Sequence, residues 1–238
     1  MYCVGPKTLH SKPGSIEMLY SDERKFVFVA VPKTGTTAIQ NRLQEIDPTI
    51  VRNHVRNAAG DLVKVATHET AYKLREIMGD QASDVTFIAF LRDPRDVVVS
   101  KYYYYRSGRA AREAGLAKRK TGDSVRTDPG TVARVLFAQS MPLGLWARIY
   151  PFASSAKFVT GPDGSTVVDC IGTNENLQTD VLRIFGRFGY TDDQLQLGIK
   201  NRSDYDRAHA RDPKLEAVVA KRLPQDMALY DRVADGGL

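Results

Sequence analysis

The chain has only two cysteines, Cys3 and Cys170, in 238 residues. That excludes a disulfide framework and leaves no spacing suited to a thiolate metal site. No run approaches eighteen apolar residues, so no membrane-spanning helix is expected. The first twenty-four residues lack the basic-then-apolar order of a secretory leader, and a cytoplasmic protein is the expectation. No acidic cluster suits a magnesium ion, and neither internal repeats nor low-complexity tracts are seen.

Positive charge is what the chain has in excess, with a net charge of +6. Much of it lies between residues 106 and 130, where seven Lys and Arg residues face only Glu113, Asp123 and Asp128. Such a segment suits a polyanionic partner or a solvated face. No aromatic residues interleave with these charges and no DNA-reading motif is present, so a nucleic-acid partner is not expected. The length fits one α/β domain, residues 1–238, with an N-terminal arm over 1–24 and a basic excursion over 106–130.

The most informative stretch is KFVFVAVPKTGTTAIQNRL, from Lys25 to Leu43. Phe26 to Val31 is continuously apolar, β-branched and aromatic, as in a strand buried on both faces. A helix follows from Thr36 or Thr37 and stops before Asp47-Pro48. A strand that turns directly into a helix aims unpaired N–H groups and the positive end of the helix dipole at one point. Gly35 permits close backbone approach, Lys33 adds an ammonium, and Thr36 and Thr37 add hydroxyls. The turn is suited to an anion. It is not the nucleoside-triphosphate loop, whose Lys follows the second Gly of GxxxxGK[ST]; here Lys33 precedes the only Gly.

A second unit of the same kind follows. VTFIAFL, from Val85 to Leu91, reads as a buried strand, and Asp93 and Pro94 read as the N-cap and first residue of a helix. Both strands are expected to end on one edge of a mostly parallel sheet, where open α/β folds bind ligands. Between them, LVKVA is a short strand, and Thr67 is the expected cap of a helix running to Gly79. Helical segments over Thr131–Tyr150 break at Met141-Pro142. AKFVT and STVVDCI read as paired late strands around a Gly-Pro-Asp-Gly turn, an amphipathic helix covers Asn176 to Gly189, and a last helix breaks at Pro224.

In combination, VPKTGTT, THETA, FLRDPRDVVVSKYYY and VVDCIGTNENLQTDVLRIFGRFGY resemble the sulfotransferases that use 3′-phosphoadenosine 5′-phosphosulfate (PAPS). The likeness is to the branch of carbohydrate O-sulfotransferases and their bacterial relatives, over Phe26 to Tyr230. It implies a three-layer αβα fold with a P-loop-like phosphate site and PAPS as donor, without a metal. The VPKTGTT turn resembles that family's 5′-phosphosulfate loop: Lys33 on the leaving oxygen, with Thr34, Gly35, Thr36 and Thr37 around the 5′-phosphate. Arg92 and Ser100 resemble its 3′-phosphate motif, and Lys200 and Arg202 are candidates to close over the nucleotide. Thr173-Asn174 departs from the family's Arg and aromatic at that place, and Tyr230-Asp231-Arg232 is more polar than its usual ending.

His68 is the candidate base for a hydroxyl acceptor, because imidazole titrates nearest to neutrality. Glu69 is its rival. His10, His54 and His209 carry no such expectation. Of Tyr102 to Tyr105, successive residues point about 100° apart, so one or two could serve an acceptor while the others pack in the core. An anionic saccharide is one candidate acceptor. The alternatives to an O-sulfotransferase are a P-loop kinase and a non-catalytic protein that binds a nucleotide or polyanion.

Overall fold

The structure is a computed structural model and describes residues 17–113, 115, 129–198 and 207–236. Five strands form the central sheet: β1 (Leu19–Ser21), β2 (Phe26–Phe28), β3 (Val51–Arg52), β6 (Thr86–Leu91) and β7 (Cys170–Thr173), in the order β3-β1-β2-β6-β7. Two further strands, β4 (His54–Arg56) and β5 (Leu62–Lys64), pair with each other. The helices that position the site are α1 (Thr36–Ile46), α2 (Ala71–Met78), α3 (Pro94–Arg106), α5 (Pro129–Gln139) and α6 (Leu143–Ile149). Also present are α4 (Gly108–Glu113), α7 (Leu177–Phe185), α8 (Pro213–Arg222) and α9 (Pro224–Ala234).

Strands β2, β6 and β7 are parallel neighbours, with Phe28 opposite Ile88 and Leu91 opposite Thr173. The period-2 alternation of side chains then sorts their residues between two faces. Phe26, Phe28, Ile88 and Phe90 pack against Ile39 and Leu43 of α1 and Val181, Ile184 and Phe185 of α7. Val27, Val29, Phe87 and Ala89 pack on the other side, with Leu74 and Met78 of α2 and Leu229 of α9. The result is a mixed sheet between helical layers. A third apolar cluster joins α3, α5, α6 and α8 through Val98, Tyr102, Val135, Trp146 and Val219.

Several expectations change. The sheet is mixed rather than mostly parallel, because β1 runs antiparallel to both β2 and β3. The expected N-terminal arm is in that part a strand: Met18, Leu19 and Tyr20 are buried, so their apolar side chains belong to the core. The first long strand leaves its ladder after Phe28, yet Val29 N–H still donates to the Ile88 carbonyl at 2.8 Å and Ala30 and Val31 stay buried. The cap of α2 is Thr70, not Thr67; its hydroxyl accepts from Lys73 N–H at 3.2 Å, which leaves Thr67 to Glu69 as a loop. The late hairpin reduces to a single antiparallel bridge, Thr160 with Thr166, because Ala156–Phe158 forms a 3₁₀ turn and Cys170–Thr173 pairs with β6 instead. Helix breaks at Pro142 and Pro224 stand where the prolines require them.

The turn between β1 and β2 is held by Asp22, which accepts hydrogen bonds from Lys25 Nζ, Arg56 Nε and the Tyr20 hydroxyl. Lys25 and then Arg56 pull the carboxyl down to about 2. The folded state therefore releases this proton more readily than the unfolded chain, where a carboxyl titrates near about 4. The contribution to stability is present above that range and is lost as pH falls through about 2. Urea denaturation of Asp22→Asn at a series of pH values is expected to show a flatter acid limb than the parent; an unchanged slope would remove Asp22 from the account.

Candidate functional site

The PKTGTT turn lies where β2 meets α1, and two of its residues adopt left-handed backbone: Lys33 at φ 67° and Gly35 at φ 79°. For Gly35 this conformation is natural, while for Lys33 it stores about 1 kcal/mol of strain. Gly35 is the N-cap of α1 and supplies no side-chain cap, which leaves the first N–H groups of the helix without a cap of that kind. Thr34 is fully buried and its hydroxyl donates to the Val31 carbonyl at 2.9 Å, so it shapes the turn rather than facing a ligand. Thr36 is also fully buried, and its hydroxyl has no hydrogen-bond partner among the described residues. A buried hydroxyl without a partner is costly, and a phosphate oxygen is one group that would satisfy it. Thr37 is half-buried on the first turn of α1.

Asn174 fixes this turn from the end of β7. Its own N–H donates to the Leu91 carbonyl at 2.8 Å and its side-chain amide donates to the Thr34 carbonyl at 3.0 Å. A Cβ at Gly35 would lie 2.2 Å from that amide nitrogen, so the close approach requires glycine. Sequence reasoning did not assign Asn174 to the site. The sequence signal was the departure of Thr173-Asn174 from the residues of the sulfotransferases that the chain resembles.

His68 is exposed, and its Nδ1 lies 2.8 Å from the Ala30 carbonyl. A carbonyl only accepts, so Nδ1 carries the hydrogen of this contact and Nε2 is the ring nitrogen left to take a proton. Ala30 precedes Lys33 by three residues, so their Cα atoms are at most about 11 Å apart. Glu69 instead turns its carboxylate onto Thr70 N–H at 3.1 Å, beside the start of α2.

On α3, Asp96, Ser100 and Tyr104 follow at i, i+4 intervals and share one face. The Lys33 ammonium lies 3.6 Å above the Tyr104 ring centroid, which ties the turn to that face. Ser100 is half-buried one helical turn before Tyr104. Arg92, just before the helix, is 8% exposed, and its guanidinium is 3.7 Å from the Asp96 carboxylate, too long for a hydrogen bond. Asp93 caps α3 through Arg95 N–H and also grips the Arg95 guanidinium, which bonds Glu216 at 2.9 Å. These carboxylates push the Arg95 pKa further up. Tyr102 and Tyr105 are buried in the helical core, and Tyr103 contacts His209. Lys200 and Arg202 lie outside the described residues.

A cavity of about 470 Å³ opens at the start of α3, lined by Asp93, Asp96, Glu175 and Glu216 with Arg95 and Arg211. Four carboxylates against two guanidiniums repel a phosphate. The anion-suited groups lie instead at Lys33, Thr36 and the α1 N-terminus. Comparison of the chain with models of known families, with curated proteins and with solved structures gave no match.

Lys33→Gly removes both the strain and the ammonium, while glycine's greater freedom in the unfolded chain offsets part of the gain. Chemical denaturation is expected to show stability within about 1 kcal/mol of the parent. A loss above about 2 kcal/mol would mean that the contacts of Lys33 hold the fold, not a site. Asn174→Ala, in contrast, is expected to cost about 1 kcal/mol through the lost amide bond.

Proposed function

We propose that the chain is a sulfotransferase that moves a sulfuryl group from PAPS to a hydroxyl acceptor. The observation that carries this reading is the His68 Nδ1 to Ala30 carbonyl bond, which holds a base with free Nε2 beside the Lys33 turn. The donor supplies a sulfuryl group on a phosphate leaving group: its S–O bond to phosphate breaks as a new S–O bond to the acceptor oxygen forms. His68 Nε2 takes the acceptor's proton. Lys33 leaves the Tyr104 ring, a contact worth about 0.5–1 kcal/mol where exposed, for a charge-assisted hydrogen bond worth about 1.5–3 kcal/mol. That exchange favours the leaving oxygen, where negative charge grows in the transition state.

The residues of the turn fit the 5′ end of such a donor. The Thr36 hydroxyl and the N–H groups of Gly35 to Thr37 would hold the 5′-phosphate, with the turn braced by Asn174. Arg92 and Ser100 would take the 3′-phosphate, with Arg92 drawn from its long approach to Asp96. Lys200 and Arg202 remain candidates for the same nucleotide.

Calorimetry with adenosine 3′,5′-bisphosphate in the absence of metal tests the donor site. Binding is expected to be tighter than for ATP with magnesium and to weaken at least about tenfold in Arg92→Ala. Preference for ATP with magnesium would instead support the kinase reading and remove this one. With a working acceptor, His68→Gln is expected to keep nucleotide affinity and lose about 10²–10⁴ in turnover; unchanged turnover would exclude it as the base.

A further inference from the structure

Lys101, in the middle of α3, is a cation in an unfavourable place. It is half-buried beside two touching aromatic rings, its ammonium 5.4 Å from the Tyr150 centroid and 6.0 Å from that of Phe152. Lys101 makes no ion pair among the described residues. Burial pulls its pKa down, and the charges that act on it, Arg134 of α5 and Lys157, are cations that pull it the same way. Arg134 and Lys157 are exposed, and neither has an ion pair among the described residues. Three positive groups that act on one another, with no ion pair to any of them among the described residues, repel, and an anion relieves both the repulsion and the desolvation.

This cluster adjoins the proposed base. The Lys157 ammonium lies 4.9 Å from the Phe158 ring centroid, and the His68 ring meets the same Phe158 ring edge-on at 6.4 Å. On α3, Lys101 precedes Tyr104, the residue on which Lys33 rests, by three positions and so lies on a neighbouring part of the helix surface. Lys157 thus meets the ring that His68 also meets, and Lys101 lies on α3 near the residue on which Lys33 rests.

We propose that Lys101, Lys157 and Arg134 form a subsite for an anionic substituent, a carboxylate or a sulfate ester, on the molecule whose hydroxyl faces His68. Calling that molecule an acceptor rests on the sulfotransferase reading; the anion subsite itself does not. The rings of Tyr150 and Phe152 exclude water beside Lys101, which strengthens the attraction of its ammonium for an anion. Lys157 and Arg134, exposed at the rim, draw the same charge toward it.

The test is a titration of the full chain, with adenosine 3′,5′-bisphosphate present in excess, followed by NMR shifts or calorimetry. Glucuronate and inorganic sulfate are the anionic probes and glucose is the neutral one. Both anions are expected to bind at least tenfold tighter than glucose. Lys101→Met and Lys157→Gln are each expected to reduce that preference by about tenfold, with bisphosphate affinity unchanged within twofold. Lys157 is exposed, so its variant keeps the test valid should Lys101→Met fold poorly. Equal binding of glucuronate and glucose, no binding of either anion, or a preference untouched by the two variants overturns the subsite. So does a loss of bisphosphate affinity in Lys101→Met, which would assign the cluster to the donor. If the bisphosphate itself does not bind but glucuronate still depends on Lys101 and Lys157, the sulfotransferase reading falls and the subsite stands.

Discussion

The amide of Asn174 is the contact on which the site depends. It joins the end of β7 to the Thr34 carbonyl, and it can do so only because Gly35 carries no Cβ. Through Asn174 N–H the same residue is bound to the end of β6 at Leu91. Three parallel strand ends are thereby held in register around one turn. With Thr34 fixed on one side by Asn174 and on the other by its bond to Val31, the strained Lys33 between them has little freedom to relax. Strain of that kind persists only where the surroundings over-determine the backbone, and it is a common mark of a functional turn.

Around that fixed point the molecule separates charge. The acidic cavity at the start of α3 uses Asp93, Glu175 and Glu216 to hold Arg95 and to close the helix end. His68 meets the Phe158 ring edge-on, and the ammonium groups of Lys33, Lys101 and Lys157 lie within 5.4 Å of the ring centroids of Tyr104, Tyr150 and Phe158 respectively. Aromatic faces hold these cations weakly, so that each can be transferred to a stronger anionic partner at small cost.

Much of this arrangement is legible in the sequence. The runs FVFVAV and VTFIAFL read as buried strands, although the first is strand only over Phe26–Phe28, and Asp93-Pro94 and the glycine of PKTGTT mark where the following helices begin. The identity of the cap of α2 was not legible, because Thr67 and Thr70 are both competent caps and only the bond from Lys73 N–H to Thr70 distinguishes them. Nor was the antiparallel β1, a three-residue strand whose burial depends on partners distant in the chain. Lys101 is hidden in a run of tyrosines, and its position beside Lys157 arises from the packing of α3 on segments about fifty residues away.

The most direct test of the central claim is a crystal structure with adenosine 3′,5′-bisphosphate. The 5′-phosphate is expected on the N–H groups of Gly35 to Thr37, with a hydrogen bond from the Thr36 hydroxyl and with Lys33 lifted from the Tyr104 ring onto the phosphate. A nucleotide bound elsewhere, with Lys33 still on Tyr104 and the Thr36 hydroxyl still without a partner, would contradict it.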